Sequence, residues 1–468
     1  MRFALLLSFL IAVNGFSQSP VPSKKQLAWH EMELYLFAHF GPNTFTDKEW
    51  GQGTEPEDIF NPTNLDCRQW CRIAKAAGAK GIIITAKHHD GFCLWPSKYS
   101  THTVRESKWK NGKGDVLKEL SQACKHYGLK FGVYISPWDR NHPKYGTPAY
   151  NDVFVNMMKE IFSNYGPIWE LWWDGANGEG PNGKKQVYDW DRFKKTVKAI
   201  SPNTVIFSDV GPHIRWVGNE KGIAGETNWN YLDTAGFTPG ERAPPTDTLN
   251  RGNINGKNWI PAECDVSIRP GWFYHKEEDE KVKTPEQLFQ IYLKSVGRGA
   301  NLLLNVPPDR RGLINEKDST VLIEFNRLRG ETFRNNLIKN TDALIISGDS
   351  IKSRGLINDR SAKTFGIISN SRYEFARIKF REAKKINCIV LKEYLYDGQN
   401  CKSFRLILMN EKYDVLREIK GTTVGNSRII TLPITNVSIL ELRINDQKKA
   451  TKISEIESYL IDESLIEK

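Results

Sequence analysis

The stretch Gly81-Ile82-Ile83-Ile84-Thr85-Ala86-Lys87-His88-His89-Asp90-Gly91-Phe92 decides the fold. Its first half is apolar on nearly every residue, with no alternation that would leave a wet face. That suits a strand of a parallel sheet covered on both sides. Its second half turns abruptly to histidines and an aspartate. Working outward, the same grammar recurs. Strand-like runs at 34–40, 131–136, 169–173, 205–208, 259–266 and 302–306 alternate with helical patterns at 65–77, 115–127, 152–164, 191–200, 285–296 and 320–328. In the 115–127 pattern, Asp115 can cap the first turn, and Val116, Leu117, Leu120, Ala123, Cys124 and Tyr127 recur at helical spacing before Gly128 stops it. This alternation, from 31 to 336, predicts an α/β fold with a (β/α)8-like barrel. An open doubly wound sheet is the competing architecture. The missing pieces are expected in the loop-rich region 209–258.

After residue 336 the pattern changes to short alternating segments at 365–368, 374–380, 386–391, 404–409, 429–432 and 438–444, with no convincing helix between them. Residues 337–468 therefore predict a C-terminal β-sandwich. It contains no tryptophan, so it advertises no sugar-stacking site. A two-domain division also follows from length, because 468 residues exceed what one hydrophobic core sustains.

Residues 1–18 read as a cleaved signal peptide, with a basic tip at Arg2, an apolar run over 3–13 and a small-residue exit, followed by a linker over 19–30. The apolar run is too short to span a bilayer, and no cysteine follows it for a lipid anchor. The expectation is a secreted or periplasmic protein without membrane insertion. The net charge of +11 raises an acidic partner, but the basic residues are spread out and no nucleic-acid-binding motif accompanies them, so the excess reads as solvated surface and no nucleic-acid partner is expected. The seven cysteines have no framework spacing. Cys67 and Cys71, one helical turn apart, read as buried small apolar side chains, since no second pair completes a zinc site.

The chemistry gathers where strands end: His39-Phe40-Gly41-Pro42, Lys87 to Phe92, Tyr134-Ile135-Ser136-Pro137-Trp138-Asp139 and Trp172-Trp173-Asp174-Gly175. The C-terminal strand ends of a barrel form its active-site mouth. Asp174 follows Trp169, Leu171, Trp172 and Trp173, so it would be a partly dehydrated carboxylate among rings that suit the apolar face of a sugar. The plainer alternative is a turn or capping aspartate before Gly175. His39, His88, His89, Asp90 and Asp174 could form a metal cage. Adjacent His88 and His89 would diverge on a regular strand, however, so they read as neutral or charged donors to ring hydroxyls, reaching inward from a bending loop, with no metal and no organic cofactor. A retaining glycosidase needs a second carboxyl about 5 to 5.5 Å from the first. Glu220, Glu226 and Glu263 are the candidates, and spacing does not choose among them.

In their order along the chain, His39-Phe40-Gly41, Glu49-Trp50, Lys87 to Phe92, Tyr134, Trp172-Trp173-Asp174-Gly175 and Gly299-Ala300-Asn301-Leu302-Leu303-Leu304-Asn305-Val306 resemble the family 29 glycoside hydrolases, the α-L-fucosidases, over residues 30–335. The resemblance implies a retaining double displacement, with Asp174 as nucleophile and His39, Glu49, Trp50, His88, His89, Tyr134 and Trp172 as the fucose-binding shell. Residues 215–220 and 267–274 are similar to the subfamily that prefers branched α1,3- and α1,4-linked fucose. That similarity implies Glu220 as acid/base, Trp216 beside it, and Trp272 against the fucose methyl group. The implied partner is a fucosylated oligosaccharide or glycoconjugate. A non-catalytic carbohydrate-binding protein on this scaffold would be expected to have lost a carboxylate. A metal-dependent barrel hydrolase would be inhibited by a chelator.

Overall fold

Isoleucine-rich runs without a polar face cannot lie on a half-wet sheet, and the chain resolves this by closing the sheet on itself. The computed structural model describes residues 19–339 and 341–466. The proposed signal peptide lies outside the described residues. Eight parallel strands form a closed barrel. In chain order they are Leu34–Ala38, Gly81–Lys87, Lys130–Ile135, Glu170–Trp172, Val205–Ser208, Ile214–Trp216, Ala262–Ser267 and Asn301–Asn305. The last strand pairs with the first, Leu34 opposite Leu302.

The strand alternation sorts side chains into two cores. Leu36, Ile82, Ile84, Val133, Leu171 and Leu304 point outward, into the layer covered by helices. Tyr35, Phe37, Ile83, Tyr134, Trp172, Phe207 and Leu303 point inward and fill the barrel. The covering helices include Cys67–Ala76, Val116–Tyr127, Ala149–Asn164, Trp190–Ile200, Pro285–Lys294 and Glu316–Thr332. Their starts are fixed by side-chain caps: the Asp66 carboxylate accepts from the N–H groups of Arg68 and Gln69, and that of Asp115 from Lys118. Cys67 and Cys71 are buried in this outer core, with the Cys71 and Cys124 sulfurs 3.8 Å apart.

The sixth strand, Ile214–Trp216, is the piece missing from the sequence pattern, and it falls inside the expected region. No helix separates it from the fifth. Only Phe207 and Ser208 pair with Ile214 and Arg215, so the return path through 209–213 is short. Residues 217–261 then form an excursion with a helix, Thr246–Arg251, and a small two-stranded antiparallel sheet in which Tyr231 pairs with Trp259.

In the C-terminal domain two strands of 20 residues, Glu374–Glu393 and Arg428–Gln447, each serve both layers of an antiparallel sandwich. The 374–379 half pairs with 342–347 and with the far half of the second long strand, while 384–391 pairs with 428–437 and, beyond a register break, with Thr451–Tyr459. Ile345, Ile378, Ile389, Leu406, Leu440 and Ile456 from both layers share one core. No helix among the described residues is long and apolar enough to cross a membrane.

Candidate active site

At the barrel mouth, His39, Glu49, Trp50, His88, His89, Tyr134, Trp172, Asp174, Glu220 and Trp272 all line one cavity, joined by Phe37, Ala176 and Asp265. Of the wall residues expected from sequence, Trp216 alone stands a step back. Its indole Nε1 donates to Asp265 Oδ1 at 2.8 Å, so Asp265 presents itself to the cavity in its place.

The strand ends explain how these side chains converge. Along the fourth strand and its exit, Trp172 points inward, Trp173 outward against Trp190, and Asp174 inward again. Trp172 lies flat on Phe207, with ring centres 3.9 Å apart and planes within 8°. Asp174 combines both of its sequence readings. Oδ1 accepts from the Ala176 N–H at 2.7 Å and shapes the turn, while Oδ2 accepts from the Tyr134 hydroxyl at 3.0 Å. Its side chain remains 26% exposed. Gly175 follows because an added Cβ would meet Asp209 Oδ2 at 2.7 Å. Burial pushes this Asp209 carboxyl up to about 6, with the neighbouring Asp174 adding to the shift.

His88 and His89 do not diverge, because the second strand ends at Lys87 and the chain bends after it. Their ring centres are 4.2 Å apart. His89 Nδ1 lies 2.8 Å from Ser136 Oγ, whose own proton goes to the Trp138 carbonyl at 2.9 Å. That hydroxyl therefore accepts from His89 Nδ1–H, leaving Nε2 as an acceptor, 3.7 Å from Asp174 Oδ2. His39 is fixed the same way. The Asn305 amide donates to Ser267 Oγ and the Trp272 carbonyl, so its oxygen accepts from His39 Nδ1–H at 2.8 Å and His39 Nε2 stays open. Burial lowers His39 to about 3 and His89 to about 4, and holds His88 well below its ordinary value. All three are neutral near pH 7.

Glu49 builds the opposite wall rather than pointing free carboxylate oxygens inward. Oε2 accepts from the Trp272 N–H at 2.8 Å, and Oε1 from the Phe273 N–H at 3.2 Å and from His275 Nε2 at 2.7 Å. Trp50, 52% exposed, stands at the rim, edge-on to His89 and Trp138. Trp272 leans on His39 and donates its Nε1–H to Glu220 Oε2 at 3.2 Å.

The three acidic candidates separate cleanly. Glu220 is on the cavity wall with Asp174. Glu226 has its side chain 75% exposed and faces Arg298 at 3.6 Å. Glu263 is buried inside the barrel, where it accepts from Trp172 Nε1 at 2.8 Å and from the Tyr35 hydroxyl. Burial pushes it and its neighbour Glu170 upward. Asp265 is a carboxyl that sequence reasoning missed; burial holds it well above the usual carboxylate range. Its signal was its position on the strand end at Ala262–Ser267, two residues after Glu263 and thus on the same face.

Asp174 and Glu220, sharing a cavity with aromatic rings and neutral imidazoles at the C-terminal mouth of a barrel, point to a glycoside hydrolase. The family model for α-L-fucosidase matches residues 16–327. The chain is similar to α-L-fucosidase 1 of Arabidopsis thaliana, 40% identical over 449 residues that cover 94% of this chain and 88% of that one. A solved structure of a glycoside hydrolase 29 family member from an unknown rumen bacterium is 40% identical, with a TM-score of 0.84 over 95% of this chain and 78% of that one. A Ruminococcus gnavus family 29 fucosidase, solved in complex with fucose, is 30% identical, with a TM-score of 0.85 over 96% of both chains. The chain belongs to the α-L-fucosidases, glycoside hydrolase family 29.

Proposed function

We propose that this α-L-fucosidase is a retaining, exo-acting enzyme that releases α1,3- or α1,4-linked fucose from branched oligosaccharides or glycoconjugates. The observation that carries the reading is the pair Asp174 and Glu220 on one cavity wall, the first within an aromatic and imidazole shell, the second at the rim. Asp174 Oδ2 attacks the anomeric carbon while protonated Glu220 donates to the departing oxygen. Water, deprotonated by Glu220, then opens the fucosyl ester. The Tyr134 hydroxyl, 3.0 Å from Asp174 Oδ2, steadies the carboxylate before attack and after its release.

The open Nε2 atoms of His39 and His89 accept hydrogen bonds from sugar hydroxyls. Between His89 Nε2 and Asp174 Oδ2, the 3.7 Å gap is too long for a direct hydrogen bond, so His89 Nε2 is free to accept from a sugar hydroxyl while Oδ2 faces the anomeric carbon. Protonation would remove these acceptors, and burial defers it until the pH falls through about 4 for His89 and about 3 for His39. Inhibition by free fucose is therefore expected to change less than about twofold between pH 7.5 and 5. Weakening by more than about tenfold, as imidazoles titrating at their ordinary pKa of about 6.5 would give, contradicts these roles.

Support for the branched-linkage preference comes from residues 215–220 and 267–274, and from the half-exposed Trp50, which offers a ring face to sugars beyond the fucose. A Lewis-type trisaccharide and a simple aryl fucoside assayed side by side test it. The trisaccharide is expected to give at least about tenfold higher kcat/KM, a difference of about 1.4 kcal/mol in transition-state binding. Equal or inverted values would remove the preference.

A further inference from the structure

The sixth barrel strand ends at Trp216, and Glu220 lies at the start of an excursion that rejoins the barrel only at Ala262. A long connection does not hold a carboxyl in register by itself. Its anchors lead out of the barrel. Gln399, buried in the C-terminal domain, uses every polar group it has on three residues of this excursion. Its N–H donates to the Tyr231 hydroxyl and its carbonyl accepts from the same hydroxyl, each at 2.8 Å; its side-chain oxygen accepts from the Asn230 N–H at 2.8 Å, and its Nε2 donates to the Asn228 carbonyl at 3.0 Å. Gly398 permits the approach, with φ at +94° and space for no side chain: an added Cβ would lie 2.8 Å from the Tyr231 hydroxyl.

From Asn228 the contacts run back to the acid/base loop. The Arg215 guanidinium is fully buried, and no carboxylate pairs with it among the described residues. It donates instead to Asn228 Oδ1 and the Trp229 carbonyl, each at 3.1 Å, to the Leu249 carbonyl at 2.8 Å, and to the Ile260 carbonyl. A charge buried without a counter-ion costs stability unless every donor is satisfied. Here it ties the strand that precedes Glu220 to the segment Gln399 holds. Asn250, in the helix whose Leu249 carbonyl Arg215 grips, donates to the carbonyls of Val217 at 3.3 Å and Ile223 at 3.0 Å, one on each side of Glu220.

We propose that Gln399 is a positioning residue for Glu220, and that the C-terminal domain thereby belongs to the catalytic apparatus. The inference rests on the reading of Glu220 as the acid/base. The test uses the full chain with Gln399→Ala, Asn250→Ala and Glu220→Ala. It measures kcat/KM on a Lewis-type trisaccharide, whose leaving oxygen needs a proton, and on α-L-fucosyl fluoride, whose leaving group does not. Gln399→Ala is expected to lose about 10- to 100-fold on the trisaccharide and less than about threefold on the fluoride. Equal losses on both substrates, or none, alongside a selective loss in Glu220→Ala, overturn the inference while leaving the acid/base in place. If Gln399→Ala does not fold, Gln399→Glu decides, since it keeps the acceptor for the Asn230 N–H and removes the donor to the Asn228 carbonyl: the same selective loss is expected, with Asn250→Ala as the reference for a displaced loop, and a uniform loss or none overturns it. A Glu220→Ala variant without selectivity removes the acid/base assignment and this inference with it.

Discussion

Asp174→Ala is expected to lower kcat by about 10⁴-fold or more on a fucosylated trisaccharide while the protein stays folded. The carboxylate is the one acidic group that combines a cavity position, partial exposure and a hydrogen bond from Tyr134. On the proposed mechanism its loss removes the atom that forms the covalent bond, and no other carboxylate of the cavity takes its place. Asp265 is held well above the usual carboxylate range and is occupied by Trp216. Asp209 lies beyond Gly175 and is not on the cavity wall. The structural cost is the turn bond to Ala176 and the acceptor of the Tyr134 hydroxyl, about 1 kcal/mol for each hydrogen bond, so thermal unfolding should shift by only several degrees. A folded variant retaining more than about 1% of the wild-type kcat would take Asp174 out of the mechanism.

Glu220→Ala should behave differently, because on the proposed mechanism it removes a proton carrier and not a bond-forming atom. On an activated substrate, glycosylation persists and deglycosylation slows by about 10²- to 10⁴-fold, the usual contribution of general acid–base catalysis. Azide, which needs no base, should restore turnover and give the fucosyl azide of retained, α configuration. With Asp174→Ala, azide enters from the opposite face and the β azide is expected. Glu226→Ala should stay near wild type, since its side chain is mostly in solvent beside Arg298. Glu263→Ala should lower stability by leaving the buried indole of Trp172 and the Tyr35 hydroxyl without their acceptor, with no rescue by azide. Rescue at Glu226→Ala or Glu263→Ala, and none at Glu220→Ala, would move the acid/base elsewhere.

The barrel was legible where a strand is covered on both faces and apolar throughout, as at 81–84, because such a run carries no polar residue to blur it. The strand Ile214–Trp216 was not, being three residues long with a charged arginine at its centre. That arginine is tolerable only through carbonyls contributed by distant segments, which no local pattern reveals. In the C-terminal domain each 20-residue strand reads as two short ones. The charged run Arg381-Glu382-Ala383-Lys384-Lys385 coincides with the register break between Lys379 and Lys384, where one strand passes from layer to layer. The strand Val415–Gly421 alternates poorly because it pairs on one side only.

Most of the cavity wall was legible because its residues cluster at strand ends as histidines and tryptophans. Asp265 was hidden by Glu263, a more conspicuous acid on the same strand that turns out to lie inside the barrel. Trp216 was expected on the wall, and its place behind it follows from the indole bond that puts the buried Asp265 carboxyl on the wall instead.

The central claim is that fucose passes through an ester on Asp174, and trapping that ester tests it most directly. A 2-deoxy-2-fluoro-L-fucosyl fluoride should inactivate the enzyme with time, because the 2-fluorine slows both steps while the activated leaving group speeds glycosylation alone, so the ester accumulates. Peptide mass mapping of the inactivated protein is predicted to show one fluorofucosyl group, carried by Asp174. A label on any other carboxylate, or unlabelled enzyme whose natural substrate yields β-configured fucose as the first product by NMR, would contradict the account.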